Sequence, residues 1–379
     1  MEETSHRVKI PIETFIKRSW PVLLFGAVLL LLVTAGLIWY AVSGVGRKEP
    51  KALTPVVTPE DIQVTTTTSA MVSRALDGIL VPPDQAQLQA YAVMVENETA
   101  ARPLTGPAKA NLAFEFPVEG GITRYMLVFD ATTTVDAIGP VRSARPYFVD
   151  LANAFSAVYA HVGGSPEALD KINGMSSLRD LNEFTNGKYF WRTAKLDAPH
   201  NVLTRTDLLH EAAVAKKFKQ GHFNGWHYKG DDALTSATST VRGNEDGPTL
   251  PYGGAYDVSW TYVRADNVYE RHQAGDLQKD ADGSVVRAKN VVVLETDGQV
   301  TDSEGRLHIR TTGRGKATLY RDGTAHELVW TRSAGSNFYF ETLDGTDALF
   351  DRGTTWVEVQ LGSTANSTAD ATSTASGAE

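Results

Sequence analysis

Residues 139–168 read GPVRSARPYFVDLANAFSAVYAHVGGSPEA, and the expected fold class follows from this stretch. Arg142 and Arg145 flank Ser143, and Pro146 falls in the first turn of an apolar run, Tyr147, Phe148, Leu151 and Phe155, spaced like one face of a helix. Proline at such a position suits a helix start, because its missing N–H would have no partner there. A β-type run at 157–162 leads to Gly163, Gly164 and Ser165, after which Pro166, Glu167 and Ala168 open a second helix. Amides at helix starts attract anions, and arginine adds forked donors for carboxylate or phosphate. With EGGITR at 119–124 upstream, the expectation is an anion-binding cleft formed by Arg124, Arg142, Ser143, Arg145, Gly164, Ser165 and Asn201.

Outward from this stretch, apolar runs at 90–95, 111–116 and 124–130 read as strands, the last two forming a hairpin around Gly120 and Gly121. A helix is expected at 166–172 and an amphipathic one at 206–218, so 84–218 reads as an α/β domain. Residues 219–250, rich in Gly, Asp and Thr, read as a linker. Beyond them the helical signal disappears, and Asp-Gly turns recur at Asp282, Asp297, Asp322 and Asp344. The expectation for 251–361 is therefore a second domain, mainly antiparallel β.

The ends differ from the middle. Residues 1–20 read as a cytoplasmic tail, and the uncharged apolar run at 20–40 supports a single transmembrane helix over 21–43. Ala41, Val42 and Ser43 resemble a signal cleavage site, but the run exceeds the roughly 7 to 15 apolar residues of a signal peptide. Residues 44–83 read as a tether with a short helix near 71–80, and 362–379 as a disordered Ser/Thr/Ala tail. The expected location is the cell membrane, single-pass, with the N-terminus cytoplasmic and the globular part outside.

A net charge of −9 argues against sequence-independent binding of nucleic acid, which calls for a basic face. The absence of cysteine excludes disulfides, thiolate metal sites, a cysteine nucleophile and a lipidated cysteine.

Several pieces resemble the DUF3048 family of uncharacterised bacterial extracytoplasmic proteins, whose type member is a lipoprotein. They are VMVEN with Arg102, Pro103 and Gly106; EFPVEGGITRYMLVFD; IGPVRSARPYFVDLA; HVGGSPEA; APHN at 198–201; and, further on, AKNVVV, TTGRGKATLYRDG and GTTWVEV. The likeness spans residues 90–360. It implies a two-part protein, α/β then β, displayed outside the cytoplasmic membrane, and carries no reaction over. Without a cysteine, the apolar span would have to serve as the anchor.

Other chemistry competes with anion binding. His161 and His200 are candidate acid/base groups or metal ligands, yet no HExxH pattern accompanies them, and no metal or cofactor is expected. Glu119 and Asp150 are candidates for a carboxylate pair. Ser165 sits where a nucleophile elbow would place one, but Glu167 replaces the required glycine and a helix cap fits better. The arginines equally suit a role in the fold, paired with Glu115, Glu119, Asp136 or Asp150. Trp191, Trp226, Trp260, Trp330 and Trp356 suit sugar stacking, although the last three fall inside β runs and read as core. The expected function is a membrane-tethered envelope protein that binds an anionic glycan, lipid phosphate or peptide carboxylate, with the β region free for a protein partner. A hydrolase or transferase acting on wall polymer, or a structural scaffold, are the alternatives.

Overall fold

The computed structural model describes residues 30–36, 38–39, 70–230 and 242–362. Residues 30–36 and 38–39 are helical, and no helix among the described residues is long and apolar enough to cross a membrane. Most of the span expected at 21–43 lies outside the described residues, as do the tail at 1–20, the tether up to residue 69 and the C-terminal tail from 363.

From residue 70 the chain forms one compact unit built on a ten-stranded sheet. Its main strands and helices, in chain order, are β1 (Ala90–Glu96), β2 (Leu112–Pro117), β3 (Thr123–Asp130), α1 (Pro146–Ala154), β4 (Val158–His161), α2 (Pro166–Gly174), β5 (Arg179–Asn182) and α3 (Thr206–Ala215). They continue with β6 (Val258–Val263), β7 (Val268–Gln273), β8 (Asn290–Thr296), β9 (Gly313–Arg321), β10 (Thr324–Arg332), β11 (Tyr339–Thr342) and β12 (Thr355–Leu361). The sheet order is β11-β10-β9-β8-β12-β2-β3-β1-β4-β5. Strands β6 and β7 belong to a second, five-stranded sheet.

Every residue of β1 and β3 is buried, which explains why both read as continuous apolar runs: each of their faces is covered. On one face Met94, Phe114, Met126 and Tyr159 pack with Phe148 and Leu151 of α1 and with Phe155 at its C-terminal end. On the other, Tyr91, Val93, Tyr125 and Trp356 pack with Leu209 and Ala212 of α3 and with Trp260 and Tyr269 of the second sheet. Trp226, Trp260, Trp330 and Trp356 are all buried in these cores, and only Trp191 of the five singled out is half-buried.

The region up to α3 is mixed α/β and the region after it is rich in β. In space, however, both supply strands to the same sheet. Strand β12 lies parallel to β8 on one side and to β2 on the other, so the β-rich region departs from an antiparallel pattern where the two regions meet. The described part of 219–250 also contributes core: Trp226 stacks on Phe350 at 4.7 Å, and His227–Tyr228 pairs with Leu349–Phe350. Residues 71–80, expected as a short helix, form a two-stranded hairpin, Val72–Ser73 with Leu80–Val81. Gly78 at φ +71 turns the chain there, and Arg74 is buried in ion pairs with Asp77 and, at 3.1 Å, Asp130. Those contacts outweigh the weak local helix preference.

Between the two sheets Arg271 of β7 pairs with Glu115 of β2 and lies 3.4 Å from Glu358 of β12, all three fully buried. Burial opposes its charge, but Glu115, Tyr125 and Glu358 outweigh burial and raise its pKa. The guanidinium sits 5.0 Å from the Trp356 ring centre, adding a cation–π contact. One cation thus ties three distant segments together.

Candidate functional site

Residues 140–144 run as a strap across the carboxyl ends of the parallel strands β1 and β4. Glu96 N donates to Pro140 O at 3.1 Å, Arg142 N to Met94 O at 2.9 Å, and Val162 N to Arg142 O at 3.1 Å. Val141 N donates to Val202 O at 2.7 Å, which brings the segment 198–202 alongside. Gly139, at φ +142, permits this approach, since a Cβ there would lie 2.9 Å from Val202 O. Ala144 bridges Gly164, so the starts of α1 and α2 lie side by side. In open α/β sheets the carboxyl ends of the strands are where ligands collect.

Strand alternation turns Glu96 toward the same face as Met94, beside Arg124 on the neighbouring strand. The Glu96 side chain is 2% exposed. Its Oε2 lies 2.7 Å from His200 Nδ1 and 3.4 Å from Arg142 Nε. Burial raises the Glu96 pKa, opposed by Arg142, His200 and Arg124. Arg142 donates from Nη1 to Pro199 O at 3.3 Å, its Nη2 makes no hydrogen bond among the described residues, and its side chain is 25% exposed.

The other two arginines lie deeper. Arg145 holds Glu119 in a fork through Nε, at 2.9 Å, and Nη2, and donates from Nη1 to Ala144 O at 2.7 Å. Arg124 donates to Ser143 O at 2.9 Å and lies 3.8 Å from Glu119. Burial pulls its pKa down to about 10, which still leaves it charged at neutral pH. The arginines therefore share a locus, but only Arg142 reaches solvent to any extent.

Four buried polar atoms here have no hydrogen-bond partner among the described residues: Glu96 Oε1, Arg124 Nε, Arg142 Nε and Tyr159 Oη. Arg142 Nε touches Glu96 without hydrogen-bond geometry. Burial lifts the Tyr159 pKa well above the usual phenol value, so its hydroxyl remains a donor. Buried polar atoms normally have partners, and water or a polar ligand could supply them here.

The remaining predicted residues divide. His161 is buried, with Nδ1 2.6 Å from Gly163 O and Nε2 2.7 Å from Asp180 Oδ1, so both ring nitrogens face acceptors and neither is open to a metal. Ser165 Oγ accepts from Ala168 N at 3.3 Å, as a helix cap. Gly164 packs closely, since a Cβ there would meet Leu169 at 3.2 Å. Asn201 Oδ1 accepts from Arg192 at 2.9 Å. Asp150 pairs with Lys171 at 2.7 Å and Glu119 with Arg145, so each carboxylate of the candidate pair has its own cation. Among the described residues no group of three or more His, Asp or Glu side chains converges to hold a metal.

Sequence reasoning missed Glu96 and Tyr159. The signal for Glu96 was a carboxylate ending an apolar strand, and for Tyr159 its two-residue spacing from His161, which puts both on one face.

Residues 76–219 match the model described as the N-terminal domain of a protein of unknown function, DUF3048, and residues 249–357 match its C-terminal domain. The chain carries both DUF3048 domains. Glu96, Arg124, Arg142, Tyr159 and His200 all fall within the DUF3048 N-terminal domain. Among relatives, the chain is 29% identical over 299 residues to “Putative lipoprotein YerB” of Bacillus subtilis (strain 168), covering 77% of this chain and 87% of that protein. The crystal structure of YerB from Bacillus subtilis superposes with a TM-score of 0.67 at 27% identity, over 77% of this chain and 97% of the other. The DUF3048 fold is thus shared well beyond the site.

Proposed function

We propose that this protein is a membrane-associated envelope protein that binds the anionic group of a ligand at Arg142, with Arg124 and Tyr159 behind it and the Glu96–His200 pair beside it. The observation that carries the reading is that the unpartnered donors Arg124 Nε and Tyr159 Oη lie on neighbouring side chains, with the partly exposed Arg142 also in electrostatic reach of Arg124. Arginine and phenol donors in low-dielectric surroundings suit a carboxylate or phosphate oxygen. The envelope location rests on the lipoprotein label of YerB and on the apolar run at 20–40, which would serve as the anchor. The test is thermal unfolding of the full chain in detergent with and without millimolar inorganic phosphate. Saturation at about 100 times Kd stabilises by about 2.7 kcal/mol. We expect such a rise in the wild type and none in Arg142→Ala, whose melting without phosphate stays near the wild-type value. No rise in the wild type, or an equal rise in the variant, overturns the reading.

A second reading is favoured by one contact. Glu96 holds His200 by Nδ1, and Nε2 makes no hydrogen bond among the described residues, which is how a carboxylate orients a general base. A hydrolase or transferase acting on wall polymer would use this dyad rather than Glu119 or Asp150. Turnover of a wall fragment that is lost in His200→Gln while binding persists would establish it, and turnover unaffected by His200→Gln would exclude it.

A further inference from the structure

The polar group offers acceptors as well as donors, and an exposed aromatic ring rests on a glycine that pairs with the same strap. Phe184 is 71% exposed. A single exposed phenylalanine is ordinary, but this one is held in place. Asn182 Oδ1 accepts from both Gly163 N, at 3.0 Å, and Phe184 N, at 3.2 Å, tying the backbone of Phe184 to that of the glycine. Gly163 has φ +58, and a Cβ on it would lie 2.8 Å from Phe184 Cε2, so the ring rests on backbone where only glycine leaves room. The peptide beneath the ring pairs with the strap, Gly163 O accepting from Ala144 N at 3.0 Å. A second path reaches the site from the other side: Glu183 lies 3.5 Å from Arg192, whose Nη1 donates to Asn201 Oδ1, next to His200.

The polar set is mixed. Arg124 Nε and Tyr159 Oη are donors, whereas Glu96 Oε1 is an acceptor. A bare anion satisfies the donors and leaves the Glu96 oxygen facing a like charge. A ligand bearing both an acidic group and hydroxyls satisfies both kinds of atom. Sugar rings combine hydroxyl edges with a C–H face that stacks on aromatic rings. Resting on the anion-binding reading above, we infer that the ligand is a six-membered sugar ring carrying a carboxylate or phosphate, its acidic group toward Arg142 and Arg124, a hydroxyl donating to Glu96 and its C–H face against Phe184.

The test is calorimetric titration of the full chain in detergent with D-glucuronate, glucose 1-phosphate, cyclohexanecarboxylate, inorganic phosphate and glucose. At least one acidic sugar should bind about tenfold or more tightly than its sugar-free counterpart, cyclohexanecarboxylate for the carboxylate and inorganic phosphate for the phosphate ester, and glucose should bind more weakly than either. Glucuronate ahead of glucose 1-phosphate, or the reverse, identifies which acid the ring carries. Phe184→Ala should lose about fivefold or more for the acidic sugar and leave inorganic phosphate unchanged, and Phe184→Trp should restore the sugar. Equal binding of acidic sugars and their sugar-free counterparts, or indifference to Phe184→Ala, overturns this inference and leaves the anion reading standing. If none of the acids binds, both fall together.

Discussion

His200 Nδ1 lies 2.7 Å from Glu96 Oε2, joining the APHN segment to the end of β1 across 104 residues of chain. Arg142 approaches the same oxygen at 3.4 Å from the strap. One buried carboxylate therefore positions both partly exposed polar side chains of the rim.

Removing that carboxylate should disturb both. Glu96→Ala leaves Arg142 and His200 without their shared partner, and a charge-assisted bond such as that of His200 contributes about 1.5–3 kcal/mol. We expect a loss of about 2 kcal/mol in urea unfolding and an altered phosphate affinity, because Arg142 and His200 lose the carboxylate that positions them. Unchanged affinity in a folded variant would show that Glu96 does not position the rim.

Arg142 and Arg145 should separate by stability. Arg142 is a quarter exposed, so Arg142→Ala should cost about 1 kcal/mol or less. Arg145 is 7% exposed and holds Glu119 and Ala144 O, so Arg145→Ala should cost about 3 kcal/mol or more. Chemical denaturation of the two single variants measures the difference, and the opposite ranking would contradict the placement of these side chains.

Arg271→Leu strands two buried acids. Burial and the neighbouring Glu115 already push the Glu358 pKa well above its usual range, with Arg271 opposing. Breaking a buried pair by removing one partner costs about 3–5 kcal/mol. Adding Glu115→Gln and Glu358→Gln should recover part of that loss, and urea midpoints of the single and triple variants check it.

Asp280 should make stability depend on pH. Its Oδ2 accepts from Gly106 N at 2.9 Å and Ala108 N at 3.2 Å, while Oδ1 is buried without a partner among the described residues. Burial raises its pKa from 3.8 to about 7, opposed by the two backbone bonds and Lys109 and reinforced by Asp282. Because the folded value exceeds the unfolded one, its contribution is fully present below pH 3.8 and is lost as pH rises through about 7. A shift of this size corresponds to a few kcal/mol, at about 1.4 kcal/mol per unit. Asp280→Asn should flatten the fall in melting temperature between pH 5 and pH 8, and an unaltered pH profile would refute this assignment.

Local pattern made much of the fold legible. The apolar run at 90–95 became β1, the Gly120–Gly121 turn joined β2 to β3, and Pro146 and Pro166 opened α1 and α2. The Asp322–Gly323 pair turns β9 into β10 with both residues at positive φ, 53 and 66. Each of these depends on neighbours within a few residues, which is why composition and spacing reveal them. The hairpin at 72–81 and the packing of Trp226 were not legible, because each is decided by partners far along the chain, Asp130 in one case and Phe350 in the other.

The candidate site divides along the same line. Sequence by itself determined that arginines, glycines and two helix starts gather in 139–168, because turn and cap chemistry is local. It also determined that no cysteine chemistry is available. Only the tertiary structure decided that Glu119 takes Arg145 inward, that Asp180 and Gly163 occupy both nitrogens of His161, and that Glu96 collects Arg142 and His200. The physical reason is that a charge is free or paired according to which opposite charge the fold places within about 4 Å, and no spacing along the chain encodes that distance.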